Sequence, residues 1–387
     1  MNILFVSPKI PKLDGVGYQV LAFKRLQCLS KTHKVAVLCF GSPSADASDI
    51  DAIAGLGASV HIVPSLWLWS LVGVVLAFPA YKTPLQCALY FSPLFKAKLQ
   101  KIIKSARPDY IYCSTIRLMP YLARHKGEVI LEMVDSMGLN FSRRLSNAGF
   151  FRKFIYWIEY LKVSRYERML VELDHVKPFV VSELDRDFIG EQKVLVLPLG
   201  VDVAAKSGGG DRRHRKSIIF SGNMSYEPNV QAVLWFVENC WSDIRKSNSK
   251  LEFFICGANP SKKITDLASI PGIVVTGRVE SIQNELIERA AAIAPMQSGS
   301  GMQFKILEAM SASTPVVATT LGRGVIKASD GVDIFIADSP EDFVDAVCTL
   351  LLDPELARSV GEAGCRYVEI NHSWDAINTR FKEINNL

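Results

Sequence analysis

Ala294-Pro295-Met296-Gln297-Ser298-Gly299-Ser300-Gly301-Met302-Gln303-Phe304-Lys305-Ile306-Leu307-Glu308-Ala309-Met310 reads as an apolar strand end, a glycine-rich loop and the first turns of a helix. The apolar run stops at Pro295, the glycines permit a tight backbone path, and helical spacing resumes near Phe304. Free amides at such a helix start can bind an anion, and Lys305 adds a full positive charge. Glu308 follows three residues later, on the same face, where its carboxylate can accept both hydroxyls of a ribose. The same spacing also fits a plain Lys305 to Glu308 surface pair worth about 0.3 kcal/mol.

Outward from this stretch the same grammar repeats. In the first half, short β-branched runs stand at Ile3 to Ser7, Val35 to Phe40, Val60 to Pro64, Tyr110 to Ser114, Val129 to Asp135, Phe179 to Ser182 and Val194 to Pro198. In the second half they stand at Ile218 to Gly222, Glu252 to Gly257, Ile273 to Gly277, Ala291 to Met296, Val316 to Thr319 and Asp333 to Ala337. Segments with helical periodicity separate them, so the fold class is α/β with two doubly wound, Rossmann-like parallel sheets. Residues 204–216 include Ser207-Gly208-Gly209-Gly210 and then Arg212, Arg213, Arg215 and Lys216, a linker by composition. The expected division is therefore residues 1–203, linker 204–216 and residues 217–371. Ligands of doubly wound folds sit beyond the carboxyl ends of the strands, so two such domains are expected to face a shared central cleft.

The chain has 387 residues, 49% of them hydrophobic and 21% charged, enough apolar surface for two cores and unlike a disordered chain. Its formal charge of +5 is unevenly placed. Residues 1–203 carry 25 Lys and Arg against 17 Asp and Glu, whereas residues 204–387 carry 19 against 22. The positive first half is suited to phosphates or anionic lipid. Four linker charges without interleaved aromatic residues do not make a nucleic-acid site. The eight cysteines form no C-x-x-C pair and read as buried free thiols of a reducing compartment. Strand-like sequence begins at Asn2, with no leader ahead of it, so a cytoplasmic location is expected.

In the loop Ser7-Pro8-Lys9-Ile10-Pro11-Lys12-Leu13-Asp14-Gly15-Val16-Gly17, Gly15 and Gly17 would let backbone amides approach a phosphate or sugar. The third glycine of a dinucleotide fingerprint falls on Val20, which argues against NAD. Asp185-Arg186-Asp187 and Asp49-Ile50-Asp51 have D-x-D spacing but read as polar helix starts, so no metal is expected. Asp135, at the end of a strand, fits either a site residue or a helix cap. His372 reads as a neighbour of a helix cap.

Ser221-Gly222-Asn223-Met224-Ser225-Tyr226-Glu227-Pro228-Asn229, Val275-Thr276-Gly277-Arg278-Val279, Lys305-Ile306-Leu307-Glu308-Ala309-Met310 and Pro315-Val316-Val317, in this order, resemble glycosyltransferase family 4. Within that family they are similar to exopolysaccharide-associated sugar transferases. The resemblance implies a GT-B fold, a nucleotide-sugar donor, a glycan or lipid-linked acceptor, retention of anomeric configuration and no cofactor or metal. It implies that Glu308 holds the donor ribose, that Lys305 faces the diphosphate, and that Gly277, Arg278 and Val279 present backbone to the base. Gly222, Asn223, Gly301, Met302 and Gln303 would contact phosphates and donor sugar, Asp135 would serve the acceptor, and the final helix from residue 372 to 387 would pack back onto the N-terminal domain. Two departures stand out. The first Glu of the family's E-x7-E pattern falls on Ser300, and the Arg and Lys that many members carry after the first C-terminal strand are replaced by Asn223-Met224-Ser225-Tyr226. A nucleotide-sugar epimerase and a non-catalytic carbohydrate-binding scaffold are the rival readings.

From Ala52 to Pro108 there is no acidic residue, while Lys82, Lys96, Lys98, Lys101, Lys104 and Arg107 are present, which suits an anionic membrane surface. Within it Ile62 to Tyr81 is uncharged, but Pro64 and Pro79 limit a helix to about 21 Å, short of the roughly 30 Å hydrocarbon core. Shallow insertion through Trp67 and Trp69 and a buried inter-strand helix both remain open.

Overall fold

The computed structural model describes residues 1–13, 17–77, 83–146, 150–203, 216–298 and 302–387. The chain divides into two compact units, Met1–Pro198 and Leu199–Leu387. Residues 199–203 group with the second unit because Val201 N–H donates to the His372 carbonyl at 2.8 Å and Gln283 Nε2 donates to the Asp202 carbonyl at 2.9 Å. The linker residues 204–215 lie outside the described residues.

The first unit carries, among the described residues, a parallel sheet of seven strands: β1 (Asn2–Ser7), β2 (Lys34–Phe40), β3 (Ser59–Val63), β4 (Tyr110–Cys113), β5 (Val129–Val134), β6 (Val176–Val180) and β7 (Leu195–Val196), in the order β3-β2-β1-β4-β5-β6-β7. The second carries six parallel strands: β8 (Ser217–Ser221), β9 (Glu252–Cys256), β10 (Ile273–Gly277), β11 (Ala291–Ala294), β12 (Val316–Ala318) and β13 (Phe335–Ile336), ordered β10-β9-β8-β11-β12-β13. Winding reverses once in each sheet, between β1 and β4 and between β8 and β11. Every expected strand is present with shifted ends. The largest shift is in β6, which starts at Val176 and runs through Pro178. Pro178 is tolerated because the two-residue β7 pairs only Phe179 and Val180, so there is no ladder bond on that side for the proline to break.

Strands covered on both faces must be apolar on both faces, which is why β1 reads as a continuous run and buries everything from Ile3 to Ser7. In the second sheet, successive residues point to opposite layers. Ile218, Phe220, Phe253, Ile255 and Ile293 pack with Val230, Val233 and Phe236 of the helix Glu227–Phe236. Ile219, Ala292 and Ala294 pack with Ile306, Leu307 and Met310 of the helix Phe304–Ser311. Each fully buried large side chain contributes about 1.5–3 kcal/mol. The two helices thus flank the sheet from opposite faces, and both begin at the carboxyl ends of β8 and β11.

One core feature had no sequence signal. Arg25, on the helix Gly17–Ser30, is fully buried and donates to Glu132 of β5 at 2.8 Å. All eight cysteines are free; seven are buried and Cys348 is half-buried. His372 is buried, desolvation lowers its imidazole to about 4, and it precedes Ser373, whose hydroxyl caps the helix Trp374–Asn385.

The uncharged segment after β3 forms the helix Trp67–Ala77. Only one side of it packs: a Cβ at Gly73 would stand 2.2 Å from the Ala88 carbonyl oxygen, and Ser70 Oγ donates to the Leu89 carbonyl. Trp67 is 69% and Val75 68% exposed, with Leu68, Leu71 and Val72 beside them, so the fully buried alternative is corrected to a half-packed surface helix. Among the described residues no helix is long and apolar enough to cross a membrane.

Candidate functional site

The reversal between β8 and β11 opens a crevice at the carboxyl ends of these strands, and the candidate donor residues gather there. β8 ends at Ser221, and Gly222 follows with φ +155°. A Cβ at Gly222 would meet Asn229 Nδ2 at 2.7 Å, so only glycine lets the chain close on that amide. Gly257, after β9, has φ +153°, and its Cβ would lie 1.7 Å from the Gly222 carbonyl oxygen. Gly222 N–H donates to the Cys256 carbonyl at 3.0 Å, and Gly257 N–H to the Gly277 carbonyl at 2.9 Å. The ends of β8, β9 and β10 are therefore tied through backbone alone.

Across the crevice, Lys305 Nζ donates to Asn229 Oδ1 at 2.5 Å, lies 3.4 Å from Met296 Sδ and sits 4.6 Å from the centroid of the Phe220 ring. Asn229 is buried and its Nδ2 donates to the Asn223 carbonyl at 2.9 Å. Desolvation lowers the Lys305 ammonium to about 8, with Glu308 acting in the opposite direction. Glu308 lies one turn on; burial raises its carboxyl and Lys305 pulls it back. Among the described residues no hydrogen-bond donor meets that carboxylate. The helix Phe304–Ser311 starts after Gln303 with no side-chain cap; in its first turn Ile306 N–H donates to the Gln303 carbonyl at 3.0 Å. Met302 is half-buried against the Ile306 and Met310 layer. Arg278 is exposed and Val279 packs partly into the same layer. Ser300 and Gly301 lie outside the described residues.

The first unit has its own crevice, between β1 and β4, where the Ser7 and Ser114 hydroxyls are 3.1 Å apart. Gly17 opens the helix Gly17–Ser30, and Gly15 lies outside the described residues. Asp135 follows Val134, a β-branched residue at φ +69° where β5 slips register against β6. Such a conformation costs about 1–3 kcal/mol and turns the chain sharply at the strand end. Asp135 reaches solvent; desolvation, then the Asp185 charge, raise its carboxyl, while Arg143 and Asn140 lower it. It is not the helix cap. Ser136 Oγ takes that role, accepting from Leu139 N–H at 3.1 Å. Ser136 Oγ in turn donates to Glu167 at 2.8 Å, and Met137 N–H donates to Glu167 at 2.7 Å. Burial pushes the Glu167 carboxyl up to about 7 against these donors. Asp185 accepts from Ser136 N–H and from the Ser182 hydroxyl, and Asp187 pairs with Arg186, so this D-x-D pair is engaged internally. Among the described residues no group of three or more His, Cys, Asp or Glu could hold a metal ion.

Sequence reasoning missed Asn229 as a functional residue. Its signal was periodicity: Asn229, Val233 and Phe236 share one buried stripe, and a polar residue on such a stripe needs hydrogen-bond partners.

Two Rossmann-like parallel sheets of this order define the GT-B glycosyltransferase fold. The model of the family described as Glycosyl transferases group 1 matches residues 215–353, the span of the second sheet. The crystal structure of Anabaena Alr3699/HepE in complex with UDP is similar over 100% of both chains, with TM-score 0.67 and 13% identity. Glycosyltransferase 1 domain-containing protein 1 of Xenopus tropicalis is 32% identical over 112 residues, 28% of this chain and 32% of its own length. The chain thus spans about a third of that relative. An uncharacterized 44.6 kDa protein in the cps region of Klebsiella pneumoniae is 22% identical over 355 residues, 87% of each chain.

Proposed function

We propose that this chain is a retaining, metal-independent glycosyltransferase of family 4 type, moving a sugar from a nucleoside-diphosphate donor to a glycan or lipid-linked acceptor in cell-surface polysaccharide synthesis. The observation that carries this reading is the Lys305 ammonium, held by a neutral amide beside an uncapped helix start at the β8/β11 crevice. Departure of the sugar builds negative charge on the diphosphate, and a preorganised cation with free amides stabilises that charge more in the transition state than in the ground state. Glu308, free of protein donors among the described residues, is assigned to the ribose hydroxyls, and Gly277 to Val279 to the base. Gly222, Asn223, Met302 and Gln303 would line the phosphates and sugar, with Ser300 and Gly301 completing that loop. Asp135 would serve the acceptor side, and Gly15 and Gly17 would offer backbone amides to a phosphate or sugar of the donor. The departing phosphate would take the acceptor proton, so no enzymic base is required. The UDP complex of the HepE protein supports the donor class, and the Klebsiella relative's cps region supports the polysaccharide setting.

For location we propose a cytoplasmic enzyme that docks on the inner membrane face through the exposed helix Trp67–Ala77. The test of function is a thermal-shift panel of UDP, GDP, ADP, dTDP and CMP, followed by product analysis with the matching nucleotide-sugar and EDTA. A ligand bound only by the folded chain raises its Tm. No shift with any of the five would overturn the donor assignment, and activity lost to EDTA and restored by manganese would overturn metal independence.

A further inference from the structure

We infer that Asn229 is a positioning residue that aims the Lys305 ammonium at the donor diphosphate and couples it to the loop Ser221–Asn223; this rests on the donor reading above. Lys305 comes from the helix on one face of the second sheet and Asn229 from the helix on the other, so their bond crosses the top of the β8/β11 crevice. The amide is bifunctional. Its oxygen takes one ammonium hydrogen at 2.5 Å, and its nitrogen holds the Asn223 carbonyl at 2.9 Å, with Gly222 closed against it.

A neutral acceptor is what a diphosphate site demands. A carboxylate at this position would hold the lysine equally well but would cancel the charge that the diphosphate needs. With no acceptor, four flexible side-chain bonds would leave the ammonium unaimed and each bound state would require ordering it. Asn fixes direction and leaves charge: two of the three ammonium hydrogens remain, one of them near the weakly accepting Met296 Sδ. The Phe220 ring face beneath the ammonium favours its charged form without competing for a hydrogen bond. This arrangement matters because the stretch after β8, Gly222-Asn223-Met224-Ser225-Tyr226, carries no Arg or Lys of its own. Lys305 then carries the phosphate charge with an aim supplied by Asn229. Among the described residues Glu308 is the one charged group acting on Lys305; Asn229, Met296 and Phe220, from the other packed elements, are neutral.

Asn229→Asp and Asn229→Ala separate aiming from mere packing. Calorimetric titration of wild type and both variants with UDP, and with GDP, ADP and dTDP in parallel, is run from pH 6.5 to 9.5, with Tm measured at each pH. Wild-type affinity is expected to fall as Lys305 loses its proton. In Asn229→Asp, affinity at pH 7 is expected to drop about tenfold or more while the pH midpoint moves up by roughly one unit or more, because the new carboxylate both competes for and stabilises the ammonium. In Asn229→Ala the midpoint is expected to move down, since a hydrogen bond to the charged form is lost. Opposite displacements of the midpoint are not produced by a general loosening of the fold. If wild type binds none of the four nucleotides, the donor reading itself fails. If it binds one and both variants keep its affinity and midpoint, Asn229 does not aim Lys305. Should Asn229→Asp not fold, an unchanged affinity and midpoint in Asn229→Ala alone rules out the aiming role.

Discussion

The two sheets wind alike, yet the helix starts at their carboxyl ends are finished in opposite ways. In the first unit the helix Met137–Ser146 meets the chain's own anion: Glu167 accepts from the Ser136 hydroxyl and the Met137 amide, and Asp185 takes the Ser136 amide. In the second unit the helix Phe304–Ser311 has no side-chain cap, and a cation stands beside it on a neutral support. The same topological feature is thus a structural joint when a carboxylate from the protein fills it and, on the reading proposed above, a ligand site when it is left open. Charge follows the same division, with Glu167 and Asp185 at the helix start after β5 and Lys305, one turn from Glu308, at the β8/β11 crevice.

The sharpest break of this contrast is Lys305→Ala. Turnover is expected to fall about 10²–10³-fold with little change in Tm, because the lost charge acts chiefly in the transition state. An equal fall in thermal stability would make Lys305 a structural residue. Next in size is Glu308→Gln, expected to weaken nucleotide binding by about 1.5–3 kcal/mol through loss of a charge-assisted ribose contact, measured by calorimetry. The mirror-image change in the first unit, Glu167→Ala, is expected to cost about 1–3 kcal/mol of stability in denaturant unfolding by orphaning buried donors, with nucleotide affinity unchanged. An effect confined to nucleotide binding would invert the assignment of joint and site.

The smallest effect is a difference in pH response. Glu167 titrates at about 7 in the fold against an ordinary 4.5, so the folded chain holds its proton more tightly and this group's cost to stability is relieved as pH falls from 7 toward 4.5. Lys305 titrates at about 8 against 10.5, so burial of its ammonium costs stability below 8 and the cost fades as pH rises toward 10.5. Lys305→Met is therefore expected to be more stable than wild type at pH 7, the gap closing by about pH 10. A gap that is constant with pH would remove the buried charge as its cause.

Both sheets were readable because parallel strands covered on two faces must be written as unbroken apolar runs, and the turns after β8 and β11 were readable because glycine and polar residues interrupt those runs. Partners far apart in the chain were not. Glu167 sits within the 23-residue helix Phe150–Glu172 and reaches Ser136 31 positions away, while Arg25 and Glu132 are separated by 107 positions. Each looks like an ordinary surface charge until the fold brings its partner. Removing one member of that buried pair, as in Arg25→Met, is expected to cost about 3–5 kcal/mol. Asp135 was legible as a strand-end acid, but the adjacent Ser136 took the capping role, a choice fixed by the turn at Val134.

The contact between Gly257 and Gly222 limits how this crevice can vary. A side chain at 257 would be stopped at 1.7 Å by a carbonyl oxygen of the neighbouring loop, and a carbonyl, unlike a side chain, cannot be trimmed by a second substitution. No single-residue step through position 257 leads to a differently shaped crevice, and no compensating side-chain change opens one. Change at this crevice is therefore channelled to positions whose side chains are free to vary, such as the exposed Tyr226 and Arg278, while the backbone contact between the strand ends stays fixed.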